Sequence, residues 1–224
     1  MINMKYNIVT VLLKTDSKYN LNPTKVRGYI GNQYREYPIL HNHYPEDKFL
    51  YSYPFVQYKS INGDIVIVGV DEGGEILKKI APELDILELN EKVKIKEKLI
   101  HEKEYDIKPT SEEKHYKFIT PWIGLNQKNY QTYIKTENWK DKKELINKIL
   151  VGNILSMSKG LGIIVNKRLY AKTHFKDKIV HYKGVKMNGF TGEFKIYYDI
   201  PDNFGLGKGV SQGFGCVKQI SDEK

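Results

Sequence analysis

Two histidines separated by one residue, His41 and His43, stand close together in a 224-residue chain that has only six histidines. A lysine and a tyrosine, Lys48 and Tyr51, follow within ten residues. In an extended segment, residues i and i+2 lie on one face about 6 to 7 Å apart. Because the pKa of histidine lies near neutrality, one imidazole can accept a proton while the other donates one. The segment is therefore a candidate acid–base centre, in which Lys48 or Tyr51 would stabilise developing negative charge.

The histidine pair has two other interpretations. A His-x-His pair can bind zinc, but zinc needs a third protein ligand, and the nearby Glu46 and Asp47 complete a poor tetrahedral set. The two histidines can also be solvent-exposed loop residues without a chemical role. The residue pattern leaves these alternatives open, and we assign neither a metal nor a cofactor to the segment.

The charge balance indicates a polyanionic partner. Lys and Arg outnumber Asp and Glu by 36 to 27, and 17 tyrosines raise the aromatic share to 12%. Cations bind phosphates and aromatic rings stack on bases, so this combination favours RNA, although a lysine-coated surface without a partner has the same composition. Residues 159–186 contain eight basic residues and one acidic residue, which is seven of the nine net charges. The predicted RNA contacts in this stretch are Arg168, Lys172, His174, Lys176 and Lys178.

Other features restrict the class of protein. The single cysteine, Cys216, excludes an internal disulfide and a cysteine-based zinc site. The apolar run that follows the first residues is too short for a signal segment or a membrane span of about 20 residues. We therefore expect a cytoplasmic protein with no membrane partner.

The first half of the chain predicts one βαββαβ unit. Its first strand is Tyr6–Thr15, and Asn22-Pro23 predicts a helix start, because Asn can accept from free amides and Pro has no amide to lose. A hairpin over residues 55–61 and 64–70, a short helix over 75–81 and a strand over 85–95 follow. This order is that of a ferredoxin-like domain, which we predict over residues 1–107.

The second half predicts a similar unit over residues 108–224. The charged residues 97–114 form either a solvated linker, which their mixed charge favours, or a long charged strand end. A strand at 115–120 and a helix at 141–161 with an apolar stripe follow. Three strands follow at 168–175, 179–186 and 190–200, with turns at 176–178 and at Asn188-Gly189. The fold class is thus α+β, with two tandem ferredoxin-like domains. The second domain has a reduced second helix and a C-terminal glycine-rich loop.

The C-terminal loop reads Asn203-Phe-Gly-Leu-Gly-Lys-Gly-Val-Ser-Gln-Gly-Phe-Gly215. A Rossmann loop would need a long helix afterwards, and a Walker A loop would need Lys-Ser or Lys-Thr in place of Lys208-Gly209. Both nucleotide-binding interpretations fail. The remaining interpretation is a backbone that approaches another chain closely and turns several amides toward phosphate oxygens. The residues predicted to bind RNA here are Gly205, Gly207, Lys208, Gly213 and Gly215.

This glycine spacing resembles the C-terminal signature of the RAMP superfamily. Together with the histidine segment after the first helix, it makes the whole chain similar to the CRISPR-associated endoribonucleases that cut repeat RNA. The resemblance implies metal-independent cleavage of precursor CRISPR RNA, leaving 2′,3′-cyclic phosphate and 5′-hydroxyl ends. It also implies that His41 and His43 transfer the protons, in the paired-histidine variant of the family, and that the repeat RNA is the partner.

Two alternative functions remain at this stage. The first is a non-catalytic RAMP subunit that binds guide RNA beside other CRISPR-associated effector subunits, in which the histidine pair is dispensable. The second is a general RNA-binding module, which the missing aromatic ribonucleoprotein signature disfavours. The sequence is compatible with a monomer or a homodimer.

Overall fold

The computed structural model describes residues 5–16, 21–41 and 53–221. The chain forms two compact units. Unit 1 comprises Met1–Asp106 and Val210–Gly213, and unit 2 comprises Ile107–Gly209 and Phe214–Lys224. A four-residue segment of the C-terminal glycine-rich loop therefore belongs to the first unit.

Unit 1 is an antiparallel sheet with two helices. Its strands lie in the order β2-β3-β1-β5-β4, which for the four longer strands is the ferredoxin-like arrangement. Short 3-10 turns follow α1 and α2 at Pro38–Leu40 and Ala81–Glu83. The elements are β1 Tyr6–Thr15, α1 Pro23–Gln33, β2 Val56–Ile61, β3 Asp64–Val70, α2 Glu72–Ile80, β4 Ile86–Glu88 and β5 Lys92–Tyr105.

Local sequence signals explain the first elements of unit 1. The side chain of Asn22 accepts from the amide of Thr24 over 2.9 Å, which confirms the predicted start of α1. Val26 and Ile30 on this helix are fully buried and join the core formed by β1, β2, β3 and α2. The predicted hairpin of β2 and β3 is also confirmed, and its turn has positive φ at Asn62 and Gly63.

The charged linker predicted over residues 97–114 is wrong. Most of this stretch lies in two 14-residue strands, β5 and β6 Pro109–Trp122. β5 pairs with β1 from Ile95 to Tyr105. Backbone hydrogen bonds therefore stabilise the C-terminal half of β5, although few of its side chains are buried. Exposed cross-strand ion pairs such as Lys14–Glu97, at 2.7 Å, contribute little to stability.

Unit 2 repeats the ferredoxin-like strand order, as β7-β8-β6-β9. Between Tyr198 and Val217, a stretch that the structure describes throughout, the only helical element is the 3-10 turn Val210–Gln212, which belongs to unit 1, so the predicted reduction of the second helix is confirmed. Asn153 on α4 accepts from the indole nitrogen of Trp122 over 3.0 Å, which ties this helix to the sheet. The elements are β6, α3 Gln127–Lys135, α4 Trp139–Gly160, β7 Ala171–Tyr182, β8 Val185–Tyr198 and β9 Val217–Gln219.

The strands predicted after α4 are corrected by the structure. β7 and β8 form one long hairpin whose turn is Lys183-Gly184, both with positive φ. Residues 176–178, predicted as a turn, lie inside β7, and Asn188-Gly189 lies inside β8. A Cβ at Gly189 would lie 3.1 Å from the carbonyl oxygen of Trp122, so this glycine serves close strand packing.

None of the described helices is long and apolar enough to cross a membrane. The single cysteine, Cys216, is buried.

Candidate functional site

The predicted acid–base segment is described at its first member. His41 is placed, whereas His43, Lys48 and Tyr51 lie outside the described residues. Their roles therefore stay predictions. The same holds for the zinc alternative, since both of its carboxylates fall in the stretch 42–52 that follows His41.

The backbone of His41 is fixed at the end of the 3-10 turn Pro38–Leu40. The amide of His41 donates to the carbonyl oxygen of Pro38 over 3.0 Å. The carbonyl oxygen of His41 accepts from the guanidinium of Arg27 on α1. Leu40, the residue before it, is buried in the core of unit 1. The backbone of His41 is therefore held between the 3-10 turn and α1.

A buried tyrosine of the sheet, Tyr58, forms a hydrogen bond with Leu40, the residue before His41. The hydroxyl of Tyr58 on β2 donates to the carbonyl oxygen of Leu40 over 3.3 Å. Burial raises the pKa of Tyr58 well above its usual value, and the nearby Arg27 guanidinium opposes this only in part. The hydroxyl consequently remains a neutral donor throughout the neutral and mildly alkaline range.

The imidazole of His41 lies directly against α1. Three of its ring atoms, Cε1, Nε2 and Nδ1, occupy the space that a Cβ would take at Gly31. Gly31 is buried and the histidine is half-buried. The imidazole therefore contacts α1 at Gly31.

The segment Val210–Gly213 of the glycine-rich loop packs on the same helix and strand within unit 1. The ammonium group of Lys59 on β2 donates to the carbonyl oxygen of Val210 over 2.7 Å and to Oε1 of Gln57 over 3.1 Å. Both Lys59 and Gln57 are fully buried. At Gly213, with φ +96°, a Cβ would lie 2.7 Å from Cγ of Pro23, the first residue of α1. Helix α1 thus contacts the loop at its start and His41 in its later turns.

The other predicted glycines lie in unit 2 and pack against it closely. Gly205 forms an isolated antiparallel bridge with Cys216. Gly207 has φ +84°, and a Cβ there would lie 2.6 Å from the carbonyl oxygen of Ile123. A Cβ at Gly215 would overlap the carbonyl oxygen of Leu206. Close packing within the protein therefore explains these glycines.

The amides predicted to face phosphate oxygens are largely used inside the protein. The amides of Leu206, Lys208, Phe214 and Gly215 donate to carbonyl oxygens of Gly215, Ile123, Gly209 and Pro121. These four amides are engaged in the fold, and a backbone donor engaged in this way is not available to a ligand. The RNA contacts assigned to the loop residues stay predictions. Gly207 and Lys208 are the exposed residues of the loop, and the side chain of Lys208 can still meet RNA.

Lys208 borders a surface groove of about 520 Å³ in unit 2. Its lining combines apolar and aromatic side chains with amides and lysines and includes no carboxylate. Such a lining suits a base with its phosphate, since rings and aliphatic groups contact base faces and lysines contact phosphates. The lining residues are Leu125, Asn126, Gln127, Tyr130, Ile179, Val185, Lys186, Met187, Asn188 and Lys208.

The predicted basic stretch forms one face of β7. Lys172, His174, Lys176 and Lys178 are all exposed and alternate along the strand, so they share a face. Lys172 binds Glu113 at 2.8 Å, and this hydrogen bond raises the pKa of its ammonium group. The face therefore includes one lysine whose charge is already compensated.

Arg168 precedes this strand. Its guanidinium lies 5.2 Å from the ring centroid of Tyr170, which is 64% exposed. A stacked arginine–tyrosine pair at the surface can contact both a phosphate and a base.

Sequence reasoning missed the aromatic residues of α3 and α4. The hydroxyl of Tyr133 donates to Oδ1 of Asp177 over 2.9 Å, and Trp139 at the start of α4 is 67% exposed. Both line a cleft of about 320 Å³ beside His174. The sequence signal that could have revealed α3, and with it Tyr133, is Asn126. Its side chain caps the helix by accepting from the amide of Asn129 over 2.8 Å.

Each of the two units has the strand order of a ferredoxin-like domain. A solved RAMP protein described as binding different RNA substrates shares this fold, with 13% identity and a TM-score of 0.56 over 96% of this chain and all of that chain. Family models of the N-terminal and C-terminal domains of Cas6b match residues 4–106 and 108–220. The chain belongs to the Cas6b family.

Individual relatives agree with this assignment. A crystal structure of Cas6b is 33% identical, with a TM-score of 0.87 over 97% of this chain and 100% of that chain. A second, described as the CRISPR RNA processing endoribonuclease Cas6b, is 31% identical with a TM-score of 0.76 over the same shares. An uncharacterized protein of Methanocaldococcus jannaschii is 50% identical over 108 residues, which is 48% of this chain and 73% of that protein.

Proposed function

We propose that this protein is an endoribonuclease that cleaves precursor CRISPR RNA within its repeats to give guide RNAs. The observation that carries the proposal is the match of both Cas6b domain models, which together extend from residue 4 to residue 220. A 31% identical relative described as a CRISPR RNA processing endoribonuclease supports the same activity.

The proposed chemistry is an internal transesterification. One imidazole of the pair His41 and His43 removes the proton of the 2′-hydroxyl, whose oxygen then bonds to the adjacent phosphorus. The bond from phosphorus to the 5′-oxygen breaks, and the second imidazole protonates that oxygen. The products are a 2′,3′-cyclic phosphate and a 5′-hydroxyl. Both proton transfers come from side chains, so the step requires no metal.

Transition-state charge and RNA binding are assigned to other groups. Lys48 or Tyr51 stabilises the additional negative charge on the phosphoryl oxygens. The exposed side chains of Lys176, Lys178 and Lys208 bind the RNA backbone through phosphate contacts. Such contacts supply affinity, whereas the histidines supply rate, so the two properties should separate on mutation.

The test uses purified protein and a labelled repeat RNA from the same genome, in the presence of EDTA. A matched RNA carries a 2′-deoxynucleotide at the cleavage site. We expect cleavage of the first RNA and none of the second, with a 2′,3′-cyclic phosphate on the upstream product. Persistent cleavage of the 2′-deoxy RNA, or loss of cleavage in EDTA, would contradict the mechanism.

Two variants connect the activity to the site. His41→Ala should lower the single-turnover cleavage rate by about 100-fold or more, in the range expected for loss of a general acid or base. His101→Ala, an exposed histidine on β5, is the matched control and should cleave normally. Tight binding of the repeat RNA by the wild-type protein without cleavage would instead favour a non-catalytic guide-RNA-binding subunit.

A further inference from the structure

The contact between α1 and the imidazole of His41 depends on the absence of a side chain at Gly31. The imidazole occupies the volume in which any residue other than glycine at position 31 would place its Cβ. Because the overlap involves three ring atoms, a small shift of the ring would not relieve it. The ring could remain against the helix only if the helix or the 3-10 turn Pro38–Leu40 moved.

Backbone conformation does not explain this glycine. Gly31 lies in the last turn of α1, two residues before its final residue Gln33, and its φ is outside the positive range that favours glycine. At a helical position glycine is less favourable than alanine, by about 1 kcal/mol in a helix interior. The helix therefore keeps a residue that weakens it, at the position where the His41 ring needs the space.

A second glycine on the same helix lacks such a contact. At Gly28, three residues earlier, an added Cβ would have no atom within 4 Å. An alanine Cβ therefore has room at position 28, whereas at position 31 it would displace the imidazole of His41.

Two groups of α1 contact His41. The Arg27 guanidinium donates to its carbonyl oxygen, and Gly31 lies under its ring. Arg27 and Gly31 are four residues apart and therefore adjacent on one helix face. One group fixes the backbone of His41 and the other leaves room for its side chain.

We propose that Gly31 is a positioning residue for cleavage, because it leaves room for the His41 imidazole against α1, where Arg27 holds the carbonyl oxygen of His41. This inference rests on the proposed function of His41 as a proton-transfer group. A general acid or base must lie within hydrogen-bond reach of the proton that it transfers, and a misplacement of about 1 Å can reduce the rate about 100-fold. Gly31 itself does not contact the RNA in this proposal.

The first experiment compares Gly31→Ala with Gly28→Ala. We expect Gly31→Ala to lower the single-turnover cleavage rate of repeat RNA by about 10- to 100-fold. The dissociation constant for the RNA should change less than twofold, since phosphate contacts dominate affinity. Gly28→Ala should match the wild type in both. Equal rates for the two variants would overturn the inference.

A second measurement detects the contact without using activity. The NMR signal of the His41 Cε1–H group is assigned by comparison with His41→Ala and is then followed in both glycine variants. It should shift in Gly31→Ala and stay in place in Gly28→Ala. An unchanged signal in Gly31→Ala would show that the ring does not lie against position 31.

A double mutant separates positioning from general damage to the fold. If Gly31 acts through His41, adding Gly31→Ala to His41→Ala should not lower the residual cleavage rate further. A further decrease equal to that seen in the wild-type background would show a structural effect independent of the histidine and overturn the inference.

The experiments also separate this inference from the proposed function. If His41→Ala cleaves like the wild type, the proposed role of His41 fails, and positioning for catalysis fails with it, even where the NMR signal confirms the contact. If His41→Ala is inactive and Gly31→Ala is fully active, the proposed function stands and the positioning role of Gly31 is rejected.

Discussion

The ammonium group of Lys59 donates to the carbonyl oxygen of Val210 over 2.7 Å, and the lysine is fully buried. The two residues are 151 positions apart, yet both belong to unit 1. The contact holds the segment Val210–Gly213 of the glycine-rich loop on β2. A lysine buried in this way binds through its donor and cannot be replaced by an apolar chain of the same length without loss of that bond.

Replacing this lysine should destabilise the protein. Lys59→Met keeps the aliphatic stem but leaves a carbonyl oxygen without this donor, so the free energy of unfolding should fall by about 1–3 kcal/mol. Urea denaturation measures the effect. The control is Lys94→Met on the exposed face of β5, expected within about 0.5 kcal/mol of the wild type. Equal stability of both variants would show that the Lys59–Val210 bond contributes nothing.

Alanine at Gly213 should combine two unfavourable effects. The residue has φ +96°, and the added Cβ would lie 2.7 Å from Cγ of Pro23. Gly184 in the β7–β8 turn has φ +78° with no atom within 4 Å, so Gly184→Ala measures backbone strain alone, about 1–2 kcal/mol. Gly213→Ala should lose more free energy of unfolding than this control. A loss no greater than that of Gly184→Ala would mean that Pro23 moves aside at no cost.

Elements with local signals could be predicted from the sequence. Asn22-Pro23 starts α1, the Asn62-Gly63 turn joins β2 to β3, and the apolar stripe of α4 gives a helix at Trp139–Gly160. Each depends on residues near one another in the chain. The outer part of β5 could not be predicted in this way, because pairing with β1 stabilises it and its side chains are charged and exposed.

The turn of the β7–β8 hairpin was misplaced for a related reason. Asn188-Gly189 is the stronger turn signal, but the chain turns at Lys183-Gly184, where both residues adopt positive φ. Pairing of Phe175 with Gly192 and of Lys178 with Gly189 extends through the predicted turns. Continuous pairing along the two strands therefore outweighs the local turn preference of Asn188-Gly189.

The residue types of the candidate site could be predicted from the sequence. The residues that pack around the site could not. The spacing of His41 and His43 indicates proton transfer without any structure. Nothing in the sequence places Gly31 under the His41 ring, since ten positions separate them and a glycine in a helix has several possible causes. The burial of Lys59 was equally hidden, because lysine is ordinarily exposed.

The exposed lysines of β7 should contribute unequally to RNA binding. Removing one lysine that binds a phosphate should reduce the slope of log K against log salt concentration by about 0.7 to 0.9. Lys176→Ala and Lys178→Ala should each approach this value, whereas Lys172→Ala should change it less, because Lys172 already binds Glu113 at 2.8 Å. Filter binding at several salt concentrations measures the slopes, with the exposed Lys96→Ala on β5 as control. A Lys172→Ala effect as large as that of Lys176→Ala would contradict this ranking.

The stability of unit 1 should decrease in strong alkali through Tyr34. Burial, reinforced by the hydrogen bond from its hydroxyl to the carboxylate of Glu83, raises the pKa of Tyr34 from 10.0 to about 12. A raised pKa means that the folded state binds the proton more tightly than the unfolded state does. The stabilisation is therefore complete below pH 10 and is lost as the pH rises toward 12. In Tyr34→Phe this group cannot ionise, so the free energy of unfolding should fall less steeply between pH 10 and 12 than in the wild type. Urea denaturation at a series of pH values measures both slopes, and identical slopes would show that Tyr34 does not titrate with folding.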